Sequence, residues 1–114
     1  MNMPYYVYVI GLKAGVLEER KFIKANPNYV VGKPCYYVGS TSLTPDQRAE
    51  QHRTRHRNAA GTKLWNDFAS DYFDGLRPRQ FDRHNPISTR AEAEKTEAEI
   101  AEKLRNKGFG VWSN

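Results

Sequence analysis

The chain has 114 residues, with 18 Lys and Arg against 13 Asp and Glu, a formal charge of +5 and an isoelectric point near 9.4. That length suits one domain, 1–114, with a small core, and no stretch approaches the roughly 18 apolar residues that a bilayer-spanning helix needs. No secretory leader is recognisable, and a lone cysteine, Cys35, excludes an internal disulfide; a cytoplasmic protein with an acidic partner, most commonly nucleic acid, is expected.

Pro4 to Ile10 is dense in aromatic and β-branched residues and predicts a first strand, ended by Gly11. From Leu12 to Pro34 the chain turns polar and predicts a long irregular excursion, with Val30-Val31 a candidate short strand. Cys35 to Gly39 predicts a second strand, stopped at Gly39-Ser40. Thr44-Pro45-Asp46-Gln47 combines an N-cap hydroxyl, a proline at the first helical position and a reciprocal glutamine. The helix it starts is expected to run to about Arg57 and close at Ala59-Ala60-Gly61. Leu64, Trp65, Phe68, Ala69, Tyr72 and Phe73 recur at helical spacing and predict a second helix, ended by Asp74-Gly75. Arg77 to Arg83 is a candidate third strand, placed at an edge because of Pro78. Asn85-Pro86 marks a turn. Thr89 with Glu92 opens a last helix that Gly108 ends, and the tail from Phe109 is apolar enough to pack back on the body. The fold class is therefore α+β: a small central antiparallel sheet of about three strands flanked by about three helices.

Two helices carry residues that packing alone does not ask for. At about 100° per residue, Ala93, Ile100, Ala101 and Leu104 share one face of the last helix, and Glu97 falls in the middle of it. A carboxylate facing a core is expensive unless it is paired or binds metal. Glu97 is thus either an edge carboxylate bridged to a basic neighbour, or a metal ligand or acid/base at a cleft wall. The first helix has almost no apolar stripe. It carries Arg48, His52, Arg53, Arg55, His56 and Arg57, which read either as a solvated face or as a phosphate-contacting one. His52 and His56 are four apart, but the further ligands of a zinc site are missing from their neighbourhood. Along the first strand Tyr6, Tyr8 and Ile10 share one face. Antiparallel pairing would bring Tyr8 and Tyr37 together on it.

These pieces arrive in an order that resembles the GIY-YIG nuclease superfamily. The first motif is Val7-Tyr8-Val9, with Tyr6 where the family often has glycine, and the second is Tyr37-Val38-Gly39, followed by Ser40-Thr41. Arg48 stands where the family has a helical arginine, and His52 where many members have a histidine one turn later. Ala93 to Ile100 matches the pattern that places the family glutamate on Glu97, and Asn114 is the candidate closing asparagine. On this alignment residues 12–34 are an insertion between the two tyrosine motifs.

The resemblance implies a stand-alone, divalent-metal-dependent endonuclease that hydrolyses phosphodiester bonds in DNA. It implies that Glu97 holds Mg²⁺ or Mn²⁺, that Arg48 binds the scissile phosphate, and that Tyr8 or Tyr37 orients the water or takes its proton, aided by His52. Gly39 and Asn114 would support the site. Arg53, Arg55, Arg57 and Lys63 would follow the phosphate backbone, and target choice would fall to a separate specificity partner or a homodimer. The alternatives are a catalytically silent nucleic-acid-binding module of the same fold, and a small protein-interaction domain that docks through a Trp65-Phe68-Tyr72 stripe.

Overall fold

The structure is a computed structural model in which residues 3–113 are described. Asn114, the candidate closing asparagine, lies outside the described residues. Among those described, four strands and four α-helices form an α+β arrangement: β1 Tyr6–Leu12, α1 Arg20–Ala25, β2 Cys35–Thr41, α2 Pro45–Thr54, α3 Asp67–Asp71, β3 Phe73–Leu76, α4 Arg90–Asn106 and β4 Gly110–Ser113. None of these helices is long and apolar enough to cross a membrane. The strands lie in the order β3-β1-β2-β4. β1 is antiparallel to β2 and β3, whereas β4 runs parallel to β2. The sheet therefore has four strands and is mixed, where the sequence predicts about three in an antiparallel sheet.

Backbone pairing across the sheet overrides several local expectations. β1 runs on through Gly11 to Leu12, and β2 through Gly39 to Thr41, because the two pair without a break from Tyr6 opposite Thr41 to Leu12 opposite Cys35. The second helix is only Asp67–Asp71. Asn66 caps its start, and Phe73 leaves it to pair with Leu12, so the third strand is Phe73–Leu76 and not Arg77–Arg83. Residues 78–84 form two 3₁₀ turns, and Arg77 instead donates its backbone N–H to Val9 O at 2.9 Å. The apolar tail becomes β4. The Trp65-Phe68-Tyr72 stripe is consequently no single helix face: Trp65 precedes α3, Phe68 is buried in the core and Tyr72 is the C-cap.

The segment 12–34 is not a loop. A 3₁₀ turn over Ala14–Glu18 buries Val16, and α1 buries Phe22 completely. Phe22 lies so close under Gly110 that a Cβ there would stand 2.8 Å from Cε1, and it meets Phe68 edge-on at 6.1 Å. Val30-Val31 forms no strand. Two asparagine side chains act as strand surrogates. Buried Asn26 accepts from Val111 N–H at 2.8 Å and donates to Val111 O at 3.0 Å. Asn85, whose bond to Pro86 is cis, does the same for Val7, at 2.9 and 2.8 Å.

Side chains alternate across the sheet. The register places Tyr8, Ile10, Tyr37 and Trp112 on one face and Val7, Val9, Val38 and Val111 on the other. α2 covers the first face, as the contact of His52 with Tyr8 and Tyr37 shows. The apolar stripe of α4, with Ala93, Glu97, Ile100, Ala101 and Leu104 buried, belongs to the helix that packs along β2, β4 and β1. α2 runs only to Thr54, because Arg55 turns left-handed at φ 55° and ends it.

Candidate functional site

Glycine at position 39 is a consequence of pairing. Tyr8 stands opposite Gly39 and its ring crosses that residue, so a Cβ would land 2.5 Å from Tyr8 Cζ. Gly39→Ala is expected to cost about 2 kcal/mol or more, as overpacking of a rigid core does. A lowered urea midpoint is the readout, and an unchanged midpoint would show that the ring can move aside.

α2 then brings its polar side inward. The helix begins with the expected capping box between Thr44 and Gln47. Its buried residues are Ala49 and His52, so a histidine and not an aliphatic stripe docks it to the sheet. His52 Nε2 is 2.9 Å from Tyr8 Oη, and Nδ1 accepts the backbone N–H of Asn66 at 2.9 Å. A nitrogen that accepts an N–H carries no proton, so the neutral ring carries its proton on Nε2 and donates it to Tyr8 Oη. Burial, and secondarily the Arg48 charge, lowers the His52 pKa to about 3. The Tyr8 phenol is pushed well above its usual range, first by burial and then by Tyr37, to which it is hydrogen-bonded, while Arg48 acts in the opposite direction. The Tyr8 and Tyr37 rings are 6.1 Å apart, and the His52 ring stands 5.1 Å from Tyr37.

Above this buried layer a cleft of about 790 Å³ opens at the ends of β2 and β4. Arg48 and Leu64 contribute to one part of its lining and Arg90, Glu94 and Glu97 of α4 to another, with the hydroxyl residues Ser40, Thr41 and Ser42 also present. Arg48 is half-buried. Its Nη1 donates to Gln51 Oε1 at 2.9 Å and to Leu64 O, which fixes the guanidinium at the wall. Glu97 is buried, at 7% exposure, as its place on the apolar face predicts. It forms no ion pair among the described residues, so the reading as a bridged edge carboxylate is not what the structure holds. Burial raises its pKa, the Ser40 hydroxyl lowers it by hydrogen bonding, and the neighbouring Glu94 charge raises it again.

The structure thus brings Tyr8, Tyr37, Arg48, His52 and Glu97 into one region, but in two layers. Arg48 and Glu97 line the cleft, while Tyr8, Tyr37 and His52 are fully buried beside it. Ser40 and Glu94 are additions to the sequence reading. Strand alternation past Gly39 was the available signal for Ser40, and the i,i+3 spacing to Glu97 for Glu94.

No group of three or more His, Cys, Asp or Glu gathers around a metal position among the described residues. Both nitrogens of His52 are taken, which removes it from any metal pair with His56. One carboxylate beside a hydroxyl, with a second carboxylate one turn away, suits a hard cation that keeps most of its water, such as Mg²⁺.

The four cations expected to follow phosphates are exposed and mostly engaged. Arg53 pairs with Glu50, Arg55 with Asp71 and Lys63 with Asp67, whereas Arg57 donates to Gly61 O. Arg55, Arg57 and Lys63 converge on Trp65, a gathering point that helical periodicity had placed in an apolar stripe. The chain matches no protein-family model, no curated protein and no solved structure.

Proposed function

We propose that the protein is a cytoplasmic, divalent-metal-dependent endonuclease of the GIY-YIG type, acting on DNA. The observation that carries this reading is the Arg48–Glu97 cleft: a buried carboxylate without an ion-pair partner among the described residues shares one concave site with a fixed guanidinium, beside a buried Tyr8–His52 hydrogen bond. A fold has no packing use for a carboxylate so placed.

In this reading Arg48 offers its outward N–H groups to the scissile phosphate and stabilises charge that grows on its oxygens. Glu97, steadied by Ser40, would hold the cation. The chemistry a divalent ion supplies there is positive charge at the leaving oxygen and relief of the Glu97–Glu94 repulsion. His52 does not take a proton from Tyr8. It donates to the phenol oxygen, holds that ring in place and favours any negative charge it acquires. Tyr8 feels the Arg48 and Glu97 charges and touches Tyr37, so one of the buried pair, Tyr8 or Tyr37, is assigned the orienting of water from beneath the cleft. Exposed cations of residues 53–63 track the backbone, which gives affinity without sequence choice.

Supercoiled plasmid incubated with Mg²⁺, Mn²⁺ or EDTA tests the proposal. Nicking that needs the metal and is lost in Glu97→Ala is the expected result. Binding should weaken steeply as salt rises, because phosphate contacts release counterions. Salt-sensitive binding with no cutting under either metal would replace the nuclease by a binding module.

A further inference from the structure

A second cleft has a volume of about 740 Å³. Leu64 and Ser113 line the reactive cleft, and their chain neighbours Trp65 and Trp112 line the second. The two clefts therefore adjoin at both of these places in the chain. Four carboxylates (Glu18, Glu19, Asp67, Asp71) and three cations (Arg20, Lys21, Lys63) line the second cleft, so what it offers a ligand is not positive charge but aromatic surface: Trp65, Trp112 and Phe68.

Both indoles are held in place yet remain half-exposed. Trp112 packs edge-on against Phe68 at 4.9 Å, and Phe68 packs on Phe22 in turn. Trp65 donates its Nε1–H to Asp67 Oδ1 at 3.2 Å. Around Trp65 stand Arg57 and Lys63, each 5.0 Å from the ring centroid, and Arg55 at 5.9 Å. Fixed aromatic platforms with cations beside them are how proteins hold unstacked bases and the phosphates that join them. Bases within an intact duplex stack on each other and cannot enter such a slot.

We infer that this second cleft is a nucleobase subsite, which accepts an unpaired base of the strand whose phosphate lies at Arg48. The inference rests on the phosphodiester reading of the first cleft for the position of that phosphate. It makes the favoured substrate a nucleic acid with a single-stranded, bulged or mispaired nucleotide near the cut.

Trp65 and Trp112 are the two tryptophans of the chain, so intrinsic emission reports on this cleft. Glu97→Ala protein in EDTA is titrated with a blunt duplex of two annealed strands carrying one unpaired adenine, and with the same duplex fully paired. Quenched emission and about tenfold tighter binding of the unpaired form are expected, which is the usual worth of one stacked base. Trp65→Ala in the same background is expected to abolish the preference, and Trp65→Phe to keep most of it. Equal binding of the two duplexes, or a preference that survives Trp65→Ala, overturns the subsite. Plasmid nicking by the wild type is scored separately. A preference without nicking overturns the nuclease and leaves the subsite standing, whereas nicking without a preference overturns the subsite alone.

Discussion

Replacing Arg48 with alanine is expected to lower the rate of metal-dependent cleavage by about 10²–10³-fold, the usual loss when one donor to a developing oxyanion is removed. The reason is geometric. One guanidinium nitrogen of Arg48 is committed to Gln51 and Leu64, so the side chain arrives at the cleft already ordered. Substrate binding then costs little of its rotamer freedom. Arg48→Lys keeps the charge but not the planar fork, and should fall between wild type and Arg48→Ala. Single-turnover cleavage at saturating protein separates this effect from weaker binding. Stability should drop by only about 1 kcal/mol, the net worth of a hydrogen bond or two. Cleavage by Arg48→Ala at the wild-type rate would remove Arg48 from the reaction.

The second large effect is on acid stability. The folded protein holds His52 neutral to about pH 3, whereas an unfolded histidine titrates near 6.5. Between those values the unfolded chain binds more protons, so stability falls as pH falls through that window and is unaffected by His52 above it. Two pH units below 6.5 correspond to a loss of about 3 kcal/mol at pH 4.5. The structural cause is plain: a proton on Nδ1 would face the Asn66 N–H, donor against donor, in a fully buried site. His84, also lowered by burial, contributes with the same sign from a more exposed place. Glu97 has the opposite sign. Its raised pKa gives stability at low pH that is lost as pH rises through the folded value. Urea unfolding at pH 7 and pH 4.5 should therefore show a smaller acid loss in His52→Gln and a larger one in Glu97→Gln. An acid loss identical in His52→Gln and wild type would place the acid lability elsewhere.

How far the sequence reveals this arrangement depends on the range of the forces involved. Glu97 is legible because helical periodicity is local, and one carboxylate among Ala93, Ile100 and Leu104 breaks it visibly. Tyr8 and Tyr37 are legible because strand alternation is local too, given antiparallel pairing. What stays hidden is decided by partners far along the chain. Asn26 looks like a loop residue beside Pro27, yet it satisfies Val111, 85 positions away. Phe73 fits a helical stripe, but its backbone is claimed by Leu12. The parallel strand β4 carries too few residues for any pattern. His52 reads as a proton-sharing group on a cationic helix, and only the Asn66 N–H, supplied by a distant turn, fixes it as a donor.

The two asparagine side chains on Val7 and Val111 have a consequence for association. An open sheet normally exposes rows of N–H and C=O groups that another chain can adopt. Here the outer side of β4 at Val111 and the stretch of β1 beyond β3 at Val7 are both saturated from within. The remaining edge, β3, is four residues long and irregular in register. Strand addition by a second copy or by an extended peptide is thereby discouraged along the sheet. Association through side chains, rather than through backbone pairing, is what these sheet edges leave open.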